Sequence, residues 1–435
     1  MRGFERAKGC CGKQHRAARV PRHGLAQLSQ ERDLNSSQDP VVIVAARRTP
    51  LGGFLGELSS LTAPQLGSIA LAAAVQQTGV QATDIDEAYM GCVLPAGLGQ
   101  APARQAALGA GLPYSTACTT VSKVCGSGMK AVMLAHDSIV AGSAAIVAAG
   151  GMESMSNAPY LLARARGGYR LGHDRVIDHM FFDGLEDAYN DRGSLMGVFA
   201  EQCAEEYGFS RADQDAWALR SLTRSRDATA SGAFDWEIAP VTVAGKGRGA
   251  SPTVISRDEQ PQSAKPEKIP ALKPAFKADG TVTAANSSSI SDGAAVVLMM
   301  RASRAAALGL TPLARIAAHA SYAGEPRRFP MAPAFSIRSA VERSGWKMAD
   351  VDLFEINEAF AVVTLAAIRD LGLDADQVNP HGGACAMGHP IGATGARLIV
   401  TLLGALRRAG GRRGVASLCI GGGEATAVAL ELWQE

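Results

Sequence analysis

The chain has 435 residues, of which 47% are hydrophobic and 5% aromatic, with 43 Lys and Arg against 41 Asp and Glu. At roughly 100–200 residues per domain, that length provides for two or three domains with ample core. The formal charge of +2 gives a nucleic-acid or membrane-surface partner no support, and no apolar stretch reaches the ~18 residues that a transmembrane helix needs.

Residues 1–39 carry a net charge of +4, which leaves −2 for the remainder. They lack the apolar core of about 7–15 residues that marks a secretory signal, and read as a disordered basic extension. Val41-Val42-Ile43-Val44-Ala45 is a continuous apolar run, the mark of a strand buried on both faces. An Ala/Leu-rich helix over 64–79, a strand over Glu87–Val93, a helix over 128–141 and a strand over Ala144–Ala149 follow, with Gly150-Gly151 as a turn. From 158 to 283 the texture changes to Arg/Gly/Asp-rich segments, a helical piece at 211–231 and a Pro/Lys/Ser-rich run from Ser251 to Lys273, which reads as a loop-rich insertion. Buried-strand character resumes at Ala294–Met300 and alternates with helices to the C-terminus. Strands alternating with helices predict an α/β fold with mostly parallel sheets covered by helices.

The pattern repeats. Gly128-Met129-Lys130-Ala131 opens a helix that leads to a strand and Gly150-Gly151, and Gly395-Ala396-Arg397-Leu398 opens another that leads to strand Gly414–Cys419 and Gly421-Gly422-Gly423. Asp84-Ile85-Asp86-Glu87-Ala88 and Asp350-Val351-Asp352-Leu353-Phe354 precede them at similar distances. Two similar αβ halves, the first carrying the insertion, account for this, and such a fold offers an active site where matching helix N-termini meet.

The eight cysteines (Cys10, Cys11, Cys92, Cys118, Cys125, Cys203, Cys385 and Cys419) are scattered without CxxC pairs, which fits neither a disulfide framework nor a zinc site and points to a reducing cytoplasm. Cys125, in Val124-Cys125-Gly126-Ser127-Gly128, lies at a turn into a helix. There the helix dipole and free N–H groups are expected to lower its pKa, as at a nucleophile elbow; a buried structural thiol is the alternative. His389 stands in a Gly- and Pro-rich turn just before a helix, where it can act as a base, stabilise an oxyanion, or simply bond to backbone. His381, nearby, reads as a turn histidine. Cys419 closes a strand before Ile420-Gly421-Gly422-Gly423, whose N–H groups can form an oxyanion hole, though alone it is equally a core residue. Asn357 can hold a water or cap the following helix, and Glu358 falls in the first turn of that helix, favourably placed in its dipole.

Together, Val124-Cys125-Gly126-Ser127-Gly128-Met129-Lys130, Gly150-Gly151-Met152-Glu153-Ser154-Met155-Ser156, Asn357-Glu358-Ala359-Phe360-Ala361, Gly388-His389-Pro390-Ile391-Gly392 and Cys419-Ile420-Gly421-Gly422-Gly423 resemble, in order and across residues 40–435, the thiolase family and specifically its acetyl-CoA acetyltransferases. The resemblance implies duplicated αβαβα halves: an N-terminal half over 40–157 and 284–308, a loop domain over 158–283 inserted in it, and a C-terminal half over 309–435. It implies ping-pong condensation of two acetyl-CoA to acetoacetyl-CoA and CoA, with Cys125 as the acetylated nucleophile, His389 as its base and Cys419 as the second acid/base. One oxyanion hole would combine His389 with a water on Asn357, and the other the N–H groups of Cys125 and Gly421. Ser288, Ala359 and Phe360 would line the pantetheine channel, with Met196 at its mouth. Coenzyme A thioesters are then substrates, and neither a metal nor another cofactor is expected. Ala158–His173 resembles the family's tetramerisation loop, which implies a homotetramer.

Two positions depart from the family. Leu195 stands where biosynthetic members often have His, and Gln262 stands where an Arg is expected at the nucleotide end of CoA. Phe329-Pro330 resembles mitochondrial members that accept 2-methyl-branched substrates, but Leu222 replaces the tyrosine that goes with their potassium site. The alternatives are a degradative 3-ketoacyl-CoA thiolase of broader chain length and a non-catalytic acyl-CoA-binding protein on the same fold.

Overall fold

The computed structural model describes residues 39–434 apart from 190, 246 and 248; the expectation for the basic extension lies outside the described residues. The first half runs through β1 (Val41–Arg48), α1 (Ala63–Thr78), β2 (Glu87–Gly91), α2 (Pro102–Gly109), β3 (Ala117–Val121), α3 (Ser127–Ala141) and β4 (Ile146–Ser154). Helices α4 (Met196–Tyr207) and α5 (Arg211–Ala230) lie in the insertion, and β5 (Ser291–Arg301) completes this half. The second half is β6 (Ala314–Ala323), α6 (Ala332–Arg343), β7 (Leu353–Ile356), α7 (Ala361–Leu371), α8 (Thr394–Ala409), β8 (Arg413–Ile420) and β9 (Glu424–Leu432). The predicted duplication is visible in this order: β1-α1-β2 corresponds to β6-α6-β7, and α3-β4-β5 to α8-β8-β9.

The strands form one sheet in the order β7-β8-β9-β6-β1-β5-β4-β2-β3, with Gly52–Gly53 pairing the start of β5. Only β2–β3, β2–β4 and β7–β8 are parallel; β1–β5, β1–β6, β4–β5, β6–β9 and β8–β9 are antiparallel. The expectation of mostly parallel sheets is therefore corrected. The cause lies in the connections: β8 turns straight into β9 through Gly421–Gly423 with no crossover helix, and the whole insertion separates β4 from β5. The two half-sheets meet at a narrow seam, Val42 opposite Arg315 and Ile43 opposite Ala314.

Alternate residues of each strand enter different cores, as the two-residue period requires. Ile43, Ala149, Val297, Leu418 and Leu430 pack on α3 and α8, which fill the space between the half-sheets. Val42, Ala148 and Val296 pack on α1 and α2, and Val415 and Ala429 on the outer helices of the second half. The result is five layers, with every central strand buried on both faces, which is why those strands read as unbroken apolar runs. Where α3 meets α8 the backbones touch: a Cβ on Gly128 would stand 2.9 Å from the Gly392 carbonyl oxygen, and one on Gly395 2.4 Å from the Met129 nitrogen.

The insertion is less loop-like than its composition suggests. Besides α4 and α5 it holds two short hairpins, Tyr160–Leu161 with Ile177–Asp178 and Val241–Val243 with Thr253–Ile255. It is bolted to β1 by the buried Arg48, whose guanidinium lies 2.5 Å from Glu237 and 2.7 Å from Asp258.

Candidate active site

Between β3 and α3 the chain makes a strained turn. Val124 has φ 45°, a left-handed conformation that β-branched residues avoid. The side chain of Ser127 holds it: Oγ accepts from the Lys123 N–H at 2.8 Å and donates to the Val124 carbonyl at 2.6 Å. The next residue, Cys125, is half-buried and lines a cleft of about 230 Å³. Burial pushes its thiol up to about 11, although the backbone N–H groups of Gly421 and of Cys125 itself reach the sulfur and pull the other way. The expectation of a pKa lowered by the helix terminus is thus corrected: loss of water outweighs the nearby dipoles. The thiol is protonated at neutral pH.

His389, on the turn into α8, lines the same cleft. Its Nδ1 lies 2.6 Å from Thr394 Oγ1, and the Thr394 hydroxyl donates to the Pro390 carbonyl at 2.9 Å. That hydroxyl has a single proton, already given, so it accepts from the ring. Nδ1 therefore carries the hydrogen and Nε2 the lone pair. Burial, with the Arg397 charge adding to it, lowers the imidazole to about 3, so the ring is neutral in the resting state. Asn357 Nδ2 lies 3.4 Å from Nε2. The Asn357 backbone donates to Ser417 of β8, and its Oδ1 is buried without a protein partner.

Cys419 lies at the end of β8, 1% exposed. Burial, and next the neighbouring Cys125, raise its thiol well above the usual range. Beyond it Gly422 and Gly423 take φ of 97° and 85°, which turns the Gly421 N–H toward Cys125. Apolar side chains wall the cleft: Met155, Phe181, Met196, Phe276, Phe329, Phe360 and Ile391. Ser288 and Ala359 complete one side, joined by a 2.9 Å bond from the Ser288 N–H to the Ala359 carbonyl. The structure thus gathers Cys125, His389, Cys419, Gly421, Ser288, Met196, Ala359 and Phe360 around one space, with Asn357 just behind His389. His381 does not line it, and its ring packs edge-on to Phe234.

Two expectations change. Helix α7 begins only at Ala361, so Asn357 does not cap it and Glu358 is not in its first turn. Glu358 is instead a buried hub that accepts from Trp217 Nε1 and Ser221 Oγ of the insertion, from Asn379 Nδ2 and from the Cys385 N–H, at 2.8–3.0 Å. It thereby fixes the backbone that presents Asn357. Leu195 precedes α4 and adds an apolar side chain to the cleft wall, while Gln262 is exposed and outside it.

Sequence reasoning missed Thr394 and Glu153. Glu153 is buried between the halves, where its carboxylate accepts from the N–H groups of Val93, Leu94 and Gly392 at 2.9–3.2 Å. It ties the His389 turn to the first half. Both residues sit inside recognisable motifs, but nothing local shows which hydrogen bond each makes.

Comparison with known proteins agrees with this architecture. Residues 41–303 match the family model described as thiolase, N-terminal domain, and residues 310–432 the one described as thiolase, C-terminal domain. The chain is 52% identical over 396 residues to acetyl-CoA acetyltransferase 1 of Arabidopsis thaliana, covering 91% of this chain and 95% of that protein. It is 48% identical over 391 residues to acetyl-CoA acetyltransferase of Pseudomonas aeruginosa, covering 90% and 98%. The crystal structure of the Bacillus anthracis acetyl-CoA acetyltransferase superposes with a TM-score of 0.87 at 41% identity, covering 91% of this chain and 99% of that one.

Proposed function

Because the chain belongs to the thiolase family it is an acyltransferase, and we propose that its cleft carries out the acetyl-CoA C-acetyltransferase reaction with two thiols and one imidazole. The observation that carries this reading is the convergence of Cys125, His389 and Cys419, from both halves, on one apolar cleft, with a neutral base whose lone pair is on Nε2.

Cys125 gives its proton to His389 Nε2 and its sulfur attacks the thioester carbonyl of acetyl-CoA. The oxygen of the tetrahedral intermediate takes hydrogen bonds from the Cys125 and Gly421 N–H groups. As the C–S bond to coenzyme A breaks, the leaving thiolate takes the Cys419 proton. The products of this half are acetyl-Cys125, free CoA, an imidazolium and a Cys419 thiolate. The last two carry opposite charges, so the buried site gains no net charge.

In the second half Cys419 removes the α-proton of another acetyl-CoA. The enolate oxygen is held by the imidazolium Nε2–H and by a water on the free Asn357 Oδ1. The enolate carbon attacks acetyl-Cys125, the carbon–sulfur bond breaks, and Cys125 recovers its proton from His389. All three groups return to their starting protonation, and the reverse sequence is thiolysis. The proposed cycle uses no metal or redox group.

The aromatic wall in which the Phe360 ring centre lies 5.9 Å from that of Phe276 and 6.5 Å from that of Phe329 favours a short acyl group over the broad chain length of a degradative 3-ketoacyl-CoA thiolase. Exposed Tyr160, Leu162 and Leu171, all in the segment read as a tetramerisation loop, support a homotetramer. Unpaired Cys92, Cys118, Cys125, Cys203, Cys385 and Cys419 support a reducing compartment, the cytoplasm; no helix among the described residues is long and apolar enough to cross a membrane.

The test is intact-protein mass after brief incubation with acetyl-CoA. One acetyl adduct is expected in the wild type and none in Cys125→Ser. No wild-type adduct from folded, CoA-binding protein would instead favour a non-catalytic acyl-CoA-binding role.

A further inference from the structure

Away from the cleft, His136 and Asp137 on α3 meet His319 on β6 at a partly exposed point between the two halves. His319 Nε2 lies 3.3 Å from His136 Nδ1 and 2.9 Å from Asp137 Oδ1, and His136 Nδ1 lies 3.1 Å from that same oxygen. The rings stand edge to face, with centres 5.0 Å apart. His136 lies nine positions beyond Ser127 at the start of α3, which at about 1.5 Å per residue places it ~14 Å along the helix from the end that carries the Cys125 turn.

We propose that His136, Asp137 and His319 form a binding site for a divalent transition-metal ion of the zinc or nickel type. Geometry is the main argument. Imidazole nitrogens bind such ions at about 2.0–2.1 Å and carboxylate oxygens at about 2.0–2.2 Å, so neighbouring ligand atoms stand roughly 2.9 Å apart in an octahedral shell and roughly 3.3 Å in a tetrahedral one. The three separations here span that range, and a point off the plane of the triangle reaches all three atoms at bonding distance. The chemistry agrees: two imidazoles and one carboxylate are a borderline donor set that suits zinc, nickel or copper and does not suit calcium or magnesium. Three protein ligands would leave positions for water.

The ion-free arrangement explains how the site is held ready. A single carboxylate oxygen of Asp137 faces both ring nitrogens, at 3.1 Å from His136 Nδ1 and 2.9 Å from His319 Nε2. Because the ligands come from α3 of the first half and β6 of the second, the ion would cross-link the halves at the end of α3 opposite the nucleophile. Its effect would be on stability rather than on the chemical steps.

The test is titration of the full chain with Co²⁺ and with Zn²⁺, alongside His319→Gln, His136→Gln and Asp137→Asn. The wild type should bind one Co²⁺ with d–d absorption and no sulfur charge-transfer band, and Zn²⁺ should raise its thermal midpoint. Each histidine variant should bind at least tenfold more weakly and lose the Zn²⁺-dependent rise, while keeping its acetyl-transfer rate in chelator. If one histidine variant fails to fold, the other and Asp137→Asn are read by the same titration. Unchanged stoichiometric binding in the variants, a sulfur charge-transfer band, or no binding by the wild type would each overturn the proposal.

Discussion

Thr394 Oγ1 lies 2.6 Å from Nδ1 of His389, five residues earlier, and donates its own proton to the Pro390 carbonyl. This bond selects the tautomer that leaves Nε2 free to take a proton, which in the proposed cycle comes from Cys125. Thr394→Val removes the acceptor and frees the ring to carry its hydrogen on Nε2. The expected result is a fall in kcat of about 10²-fold or more with KM nearly unchanged, and Thr394→Ser should recover most of it. Steady-state kinetics of the two variants check this; equal activity in Thr394→Val would remove Thr394 from the positioning of the base.

In the proposed cycle the two cysteines divide the labour, so their variants should fail at different steps. Cys419→Ala still has the nucleophile, its base and the Gly421 N–H, and should form the acetyl adduct, more slowly for want of the proton that CoA takes. It should lose condensation by a factor of about 10³ or more. Mass spectrometry and acetoacetyl-CoA formation on the same sample separate the two. Condensation near the wild-type rate would overturn the assignment of Cys419 as second acid/base.

Cys125 also makes a statement about reactivity. With its thiol pushed up to about 11 by burial, the thiolate is scarce at pH 7. Alkylation of Cys125 by iodoacetamide should keep rising with pH beyond the range where an ordinary thiol, near 8.5, has levelled off. A rate that plateaus below pH 8 would show that the helix terminus outweighs burial after all.

Gly128 and Gly395 allow the first turns of α3 and α8 to touch. Gly395→Ala would set a methyl group 2.4 Å from the Met129 nitrogen, which is backbone and yields little. The overpacking should cost about 1–3 kcal/mol, visible as a lower denaturation midpoint. It should also lower kcat, because the same contact sets Cys125 against His389. A variant with wild-type stability and rate would mean that the helices can separate without consequence.

Acid tests the buried histidines. His389 is lowered to about 3 and His381 to about 4, mainly by burial, whereas an unfolded histidine titrates near 6.5. Between those values the unfolded chain binds more protons, so each histidine makes the fold less stable as pH falls through that window. Glu153 and Glu355 oppose this. Burial raises them to about 7 and about 8, so the folded state takes up protons first and gains stability as pH falls. Removing one histidine unbalances the set. His381→Gln should gain about 1–2 kcal/mol, relative to wild type, on going from pH 7 to pH 5, as read by urea unfolding at both values. No relative gain would mean that His381 is charged in the folded protein.

What the sequence made legible was local and what it hid was relational. The turns around Cys125, His389 and Cys419 announce themselves because glycines and prolines cluster only where backbone must bend or meet backbone. The buried strands announce themselves because both faces are covered. Strand direction was misjudged, since Gly421–Gly423 reads equally as a hairpin and as the start of a crossover. The sign of the Cys125 shift was misjudged because a helix terminus is visible in sequence while the depth of water exclusion is not. Thr394 and Glu153 act through partners 5 and 239 residues away, and no spacing rule reports those bonds.

The seam between β1 and β6 has two facing residue pairs, and the layer of α3 and α8 is shared. Neither copy of the duplicated unit therefore owns a whole core: each contributes one inner helix and leaves its sheet bare without the other's. Expressed separately, residues 40–308 and 309–435 would each expose an apolar sheet face and be prone to aggregate, while together they would complement one another. An ancestor with a single unit would have faced the same requirement, and would have been obliged to pair with its twin.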